Sequence, residues 1–105
     1  MAERFCLVTT TTDTPELARR IVRALLEEKL AACVQISPIV SHYVWDGAVR
    51  EEAEQLLSIK AKSADYEAIA ASIRRLHTYE VPEILKFDIS DGSRDYLGWI
   101  KSVTR

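Results

Sequence analysis

The chain has 105 residues, of which 48% are hydrophobic and 29% are charged, and its formal net charge is −2. This length predicts one domain, residues 1–105, with enough apolar mass for a single core. Nucleic-acid binding depends on clustered cations that neutralise phosphates, so the acidic balance argues against it. No apolar run approaches the ~18 residues of a membrane span, and residues 1–4 do not begin an export signal. We therefore expect a cytoplasmic protein that contacts no membrane.

The first part of the chain predicts a strand, a helix and a second strand. Residues 4–10 are β-branched and aromatic, which favours a strand. Thr14 and Pro15 are typical of a helix start, because threonine caps free N–H groups and proline suits the first helical position. The second strand, residues 32–45, contains Pro38, which cannot donate to a ladder and therefore indicates an edge strand. The helical stripe after Pro15 consists of Leu17, Ala18, Ile21, Val22, Leu25 and Leu26.

The second part of the chain repeats this order. Asp46-Gly47 predicts a tight hairpin, because glycine readily adopts the positive φ that such a turn needs. The returning strand continues through residues 55–62, and Ser63 is predicted to cap a second helix. Residues 83–89 predict the fourth strand, and Ser93 caps a short terminal helix. The second helical stripe consists of Tyr66, Ile69, Ala70, Ile73 and Leu76.

The element order β-α-β-β-α-β, followed by a short helix, predicts an α+β fold of the ferredoxin-like class. In that fold an antiparallel sheet carries two helices on one face, with the first and third strands central. The long hairpin places Ile39, Tyr43 and Trp45 on one side at a period of two residues. Because exposed apolar groups usually mark an interface, we expect the hairpins to pair with neighbouring subunits in a ring. The alternative is that these side chains fold back onto their own sheet.

Several stretches resemble the CutA family of divalent-cation tolerance proteins. The resemblance covers nearly the whole chain, and it implies a ferredoxin-like homotrimer similar to that of PII signalling proteins. It also implies a cytoplasmic location in bacteria and a link to copper and other divalent metals, but no reaction. Of the copper ligands described in the family, the resemblance carries over only His77. The matching stretches are residues 29–34, 43–47, 57–60, 77–84, 92–93 and 96–99.

Metal binding would need soft donors, and this chain has few. No two donors have the local spacing that builds a site within one element, so a site would be assembled across the fold or around a trimer axis. His77 and Cys33 are the candidate ligands for copper or another divalent ion. The alternatives are a helix-end imidazole at His77, a solvated His42, and two reduced, half-buried thiols at Cys6 and Cys33. The donors are Met1, Cys6, Cys33, His42 and His77.

A second candidate site is polar and aromatic. Lysine supplies a point charge, while tyrosine and tryptophan combine an apolar body with a hydrogen-bonding tip. This set suits a small anionic or polar ligand between subunits, with no organic cofactor required. The alternative is a buried hydrogen-bond network that holds the trimer together. The candidate cleft residues are Tyr43, Trp45, Lys60, Tyr79, Glu80, Glu83 and Trp99.

Catalysis is not indicated by the sequence. There is no glycine-rich phosphate loop, nucleophile elbow or zinc-protease motif, and no third group is evident to orient Cys33 and His77 as a nucleophile pair. Three functions remain open. The first is a trimer that binds metal ions and takes part in the response to those ions. The second is a PII-like signalling trimer that binds a small metabolite, and the third is a scaffold for another protein.

Overall fold

A computed structural model describes residues 2–105. The elements in chain order are β1 (Phe5–Thr12), α1 (Pro15–Glu27), β2 (Cys33–Trp45), β3 (Ala48–Lys62), α2 (Tyr66–Leu76), β4 (Leu85–Ile89) and α3 (Arg94–Val103). The strands form one antiparallel sheet in the order β2-β3-β1-β4. The predicted βαββαβ order is confirmed, with β1 and β3 central and the proline-bearing β2 on an edge.

Helix α1 begins where its capping residues predict. The Thr14 hydroxyl accepts a hydrogen bond from the Leu17 N–H at 3.1 Å, and Pro15 occupies the first turn, where it has no partner to lose. At the other end of the chain, the Ser93 hydroxyl accepts from the Tyr96 N–H at 3.3 Å and caps α3. Both caps confirm the predicted helix starts.

The core lies between the sheet and helices α1 and α2. Alternate residues of the central strands point towards the helices, which contribute their apolar stripes to the same layer. This arrangement explains why residues of β3 alternate between buried and half-buried along the inner half of the strand. The core residues are Cys6, Val8, Leu17, Ala18, Ile21, Leu25, Leu30, Ala31, Leu57, Ile59, Ala61, Ile69 and Ile73.

Helix α3 lies against the opposite face of the sheet. Lys60 is on that face because Ile59 and Ala61, its neighbours on β3, face the core. The Lys60 Nζ lies 5.5 Å from the centre of the Tyr96 ring of α3. Ile100 of the same helix is fully buried. Phe87 of β4 lies on the same face and is 49% exposed.

The hairpin of β2 and β3 extends beyond the helices as an arm. At its tip Asp46 and Gly47 have φ values of 51° and 74°, as a primed hairpin turn requires. The arm makes the chain 46 Å long but only 26 Å and 21 Å across. On the arm Val44 and Val49 face each other in the ladder and are 72% and 80% exposed. Within one chain, nothing covers this pair.

The structure corrects three local predictions. Ser63 does not cap α2, because the 3₁₀ turn Ser63–Asp65 separates it from the helix and Asp65 occupies the N-cap position. The Ser63 hydroxyl has no hydrogen-bond partner among the described residues. The Cys6 thiol is fully buried rather than half-buried, since it belongs to the core cluster. The fourth strand begins at Leu85, two residues later than predicted.

Candidate functional site

The segment that follows α2 is fixed to the sheet by His77. Its Nε2 lies 2.7 Å from the Thr11 carbonyl oxygen, and its Nδ1 accepts the Tyr79 N–H at 3.1 Å. Because Nδ1 acts as an acceptor, Nε2 carries a proton and donates to the Thr11 carbonyl oxygen. Both ring nitrogens therefore already have a hydrogen-bond partner. His77 thus positions Tyr79, whose ring centre is 4.6 Å from its own.

Tyr79 in turn contacts a buried carboxylate on the arm. Its hydroxyl donates to Glu54 Oε2 at 2.5 Å, and Glu54 is only 7% exposed. Burial, followed by the hydrogen bond and the negative charge of Glu54, raises the pKa of the Tyr79 phenol above its ordinary value of 10.0. Asp13 and Tyr43 contribute in the same direction from nearby. The phenol is therefore held as a hydrogen-bond donor.

This raised pKa predicts a stability that falls in alkaline solution. Above the unfolded pKa of about 10 the folded chain retains the Tyr79 proton that the unfolded chain loses. The free energy of unfolding should therefore decrease as pH rises above about 10, and the decrease should continue until the raised pKa of the folded state is passed. Tyr79→Phe should make that decrease shallower, as measured by urea denaturation at a series of pH values. The exposed Tyr96→Phe serves as the control and should keep the wild-type slope. Equal slopes for Tyr79→Phe and wild type would contradict the assignment.

Two adjoining concavities lie beside Tyr79, and together we call them the arm-side cleft. One, of about 400 Å³, is lined by Trp45, Asp46 and Glu80. The other, of about 440 Å³, shares Glu80 and is also lined by Arg74 and Tyr79. Val81, Pro82 and Ile84 complete the wall of the second concavity. The cleft therefore combines aromatic surfaces with carboxylates at the boundary between the arm and the α2–β4 segment.

The predicted cleft residues form more than one group within a chain. Tyr43, Trp45, Tyr79 and Glu80 are gathered at the arm. Lys60 lies six residues from Glu54 along β3, a distance of ~20 Å at the rise of an extended strand. Within a chain, the charge that was expected to hold an anionic ligand is therefore remote from the arm-side cleft.

Lys60 of β3 and Trp99 of α3 belong instead to a cluster between these two elements. Tyr96 lies between them, with its ring 5.5 Å from the Lys60 Nζ and 5.5 Å from the Trp99 ring centre. Glu83 is separate from this cluster, since its Oε2 accepts a hydrogen bond from the Thr9 hydroxyl at 3.0 Å. Tyr96 was not a predicted site residue, although its spacing of three from Trp99 on a helix signals the contact.

The candidate metal donors are dispersed. Cys33 is half-buried and lies opposite Lys60 in the ladder, whereas His77 lies beside Thr11. His42 faces Glu51 across the arm, with 3.5 Å between its Nδ1 and Glu51 Oε1. Met1 lies outside the described residues. Nowhere in residues 2–105 do three histidine, cysteine, aspartate or glutamate side chains converge as a metal site would require.

Sequence reasoning missed Glu54, the buried carboxylate that accepts the hydrogen bond of Tyr79. It stands in the acidic run Glu51-Glu52-Ala53-Glu54, and nothing in that run distinguishes it from the others. Glu54 differs from its neighbours because it contacts Tyr79, which is 25 residues away.

None of the helices formed by residues 2–105 has the length and apolar character needed to cross a bilayer.

Comparison with known proteins places the chain in a family. The model of the CutA1 divalent ion tolerance protein family matches residues 6–103. The divalent-cation tolerance protein CutA of Thermus thermophilus is 41% identical over 99 residues, which cover 93% of this chain and 96% of that protein. Chloroplastic CutA 1 of Oryza sativa is 39% identical over 94% of this chain, which spans only 56% of its length.

Solved structures agree with this placement. The crystal structure of CutA1 from Oryza sativa superposes with a TM-score of 0.94 at 38% identity, covering 97% of this chain and 94% of that one. The periplasmic divalent cation tolerance protein CutA of Archaeoglobus fulgidus gives a TM-score of 0.92 at 32% identity, with coverages of 94% and 97%. The sheet order, the arm and the position of α3 thus occur in a chain that belongs to the CutA1 divalent ion tolerance family.

Proposed function

We propose that this protein is a non-enzymatic cytoplasmic homotrimer that binds copper or other divalent metal ions in the response to those ions. Membership of the family supports the link to metal, because the Thermus thermophilus relative is named for divalent-cation tolerance. The observation that carries the assembly is the uncovered arm, where Val44 and Val49 are 72% and 80% exposed. Exposed apolar pairs of this kind favour burial against another subunit.

Cys33 and His77 are the proposed metal ligands, and they differ in how free their side chains are to bind a metal ion. The Cys33 side chain is half-buried on an edge strand, and a thiolate suits Cu(I) and Zn²⁺. His77 would bind only after giving up the Thr11 or the Tyr79 hydrogen bond. Since one chain gathers too few donors, three symmetry-related copies of a donor would complete the site.

Calorimetric titration with copper and zinc ions tests this proposal. We expect micromolar or tighter binding by the trimer. Cys33→Ser should weaken it at least tenfold, equivalent to about 1.4 kcal/mol. Cys6→Ala is the matched control, because it removes a thiol that is sealed in the core, and it should leave the affinity unchanged. Wild-type affinity in both Cys33→Ser and His77→Ala would exclude these ligands.

A second candidate function is a PII-like signalling trimer that binds a small metabolite between subunits. The arm-side cleft favours it, because aromatic and charged side chains surround a volume suited to a small ligand. Thermal-shift screening tests this alternative. A metabolite present at about 100 times its dissociation constant should stabilise the fold by about 2.7 kcal/mol.

A further inference from the structure

Helix α3 has few apolar contacts with the rest of the chain. Within this helix Ile100 is the one buried residue, whereas Tyr96, Trp99 and Val103 are 39%, 42% and 41% exposed. Helices α1 and α2, by comparison, each bury four residues. A helix of ten residues is marginal in water by itself, so α3 depends on the contacts that hold its two ends.

The carboxyl end of α3 is held by Arg105. The Arg105 N–H donates to the Lys29 carbonyl at 2.9 Å, and the Arg105 carbonyl accepts from the Lys62 Nζ. The Arg105 Nε donates to Asp65 Oδ1 at 3.2 Å. We call these contacts the Arg105 clasp. They join α3 to the turn after α1, to the end of β3 and to the 3₁₀ turn before α2.

The clasp includes a buried carboxylate, which sets it apart from a surface ion pair. The Asp65 side chain is only 9% exposed, and its Oδ2 has no hydrogen-bond partner among residues 2–105. The Lys62 Nζ lies 3.9 Å from that oxygen, beyond hydrogen-bond distance. Arg105 is therefore the residue that donates a hydrogen bond to this carboxylate. Because a buried carboxylate without a donor is costly, the clasp favours the docked position of α3.

The other end of α3 is joined to β4 by residues 90–93. These residues are exposed and belong to neither a helix nor a strand. The Gly92 N–H donates to Asp91 Oδ1 at 2.8 Å, and Ser93 caps α3 itself. Because these hydrogen bonds lie within the segment and the helix, none of them has to break when α3 moves. Residues 90–93 can therefore serve as a hinge.

Release of α3 would uncover an apolar part of the sheet. Lys60 lies 5.5 Å from the Tyr96 ring centre, and Leu7 of β1 is its ladder neighbour on the same face. Leu7 is half-buried, and it pairs in turn with Phe87, which is already 49% exposed. Without the helix, the exposed apolar surface around Phe87 would grow, and Ile100 would meet solvent.

We propose that α3 is a hinged cover of this face, which detaches as a unit about residues 90–93 and is held closed by the Arg105 clasp. The sheet and helices α1 and α2 stay folded during the opening, because their core cluster contains no residue of α3. Elements with few buried apolar contacts open at a lower free energy than the whole chain. The cover goes beyond the proposed function, since it needs neither a metal ion nor a metabolite.

Amide hydrogen exchange followed by NMR tests the cover. In the wild-type protein, amides of residues 98–103 should exchange about tenfold or more faster than the slowest amides of α1 and α2. Arg105→Ala should accelerate exchange in α3 by about a further tenfold and change α1 and α2 less than about twofold. Arg105→Lys keeps the positive charge and should restore part of the protection.

Arg94→Ala is the matched control. It removes an exposed arginine from the first turn of α3 that forms no ion pair among residues 2–105, and it should change exchange in α3 less than about threefold. Anilinonaphthalene sulfonate, a dye that binds exposed apolar surface, should fluoresce more with Arg105→Ala than with Arg94→Ala or wild type.

Three results would overturn the cover. Exchange in α3 as slow as in α1 and α2 would show that the helix opens only when the whole chain unfolds. Equal acceleration of all three helices by Arg105→Ala would mean that the clasp stabilises the entire fold. Exchange in α3 that rises only when dilution yields single chains, with mass measured in parallel, would mean that a neighbouring copy holds the helix instead of Arg105.

Discussion

Val49→Asp should convert the assembly into single chains with a mass near 11.9 kDa. Val49 and its ladder partner Val44 are the most exposed large apolar residues of the arm. A valine contributes about 1.5–3 kcal/mol when an interface covers it, and a buried aspartate adds a desolvation cost of several kcal/mol. Because three equivalent interfaces carry the change, the effect on trimer stability is multiplied. Sedimentation at micromolar concentration measures it.

The same substitution should do little to the single chain, because Val49 already faces solvent there. Circular dichroism of Val49→Asp should therefore retain the α+β spectrum. Val49→Ile is the matched control, since it keeps an apolar β-branched side chain, and it should remain trimeric. A trimer that tolerates Val49→Asp would show that the arm tip lies outside the interface. A wild-type chain that sediments as a monomer would remove the assembly altogether.

The fold could be predicted because its decisive signals are local. Thr14 and Pro15 start α1, and Asp46-Gly47 closes the hairpin with the two positive φ angles that its turn type requires. Pro38 excludes β2 from a central position, which selects one sheet order among several. Each of these effects acts within a few residues, so the sequence alone indicates it.

The candidate site could be predicted only in part, because its contacts join distant positions. Tyr79 and Glu80 were predicted as cleft residues, but the partner of Tyr79 depends on how β3 passes the α2–β4 segment. Lys60 was predicted to lie with them, but the length of β3 places it beside Tyr96 instead. Ser63 has the chemistry of a cap, but the end of β3, where its N–H bonds to the Arg4 carbonyl, leads into a 3₁₀ turn that separates it from α2. In each case tertiary geometry decides between partners of similar chemistry.

Lys62→Met should destabilise the chain by about 3 kcal/mol, the lower end of the range for breaking a buried ion pair. The Lys62 Nζ lies 3.9 Å from Asp65 Oδ2, and the two side chains are only 13% and 9% exposed. The Lys62 Nζ also donates to the Arg105 carbonyl. The loss is limited because the Arg105 Nε remains 3.2 Å from the other Asp65 oxygen. Urea denaturation measures the change.

A double variant separates the ion pair from the packing of its side chains. Asp65→Leu combined with Lys62→Met leaves no buried charge. The double variant should therefore lose less free energy of unfolding than the two single variants added together. Lys86→Met is the control, because Lys86 and Asp88 form an exposed pair at 3.3 Å that is worth about 0–1 kcal/mol. Additive losses would mean that Lys62 and Asp65 act independently. If they are coupled, the pair fastens the end of α3 to the sheet through Arg105, which helps to keep Tyr96 of that helix over Lys60.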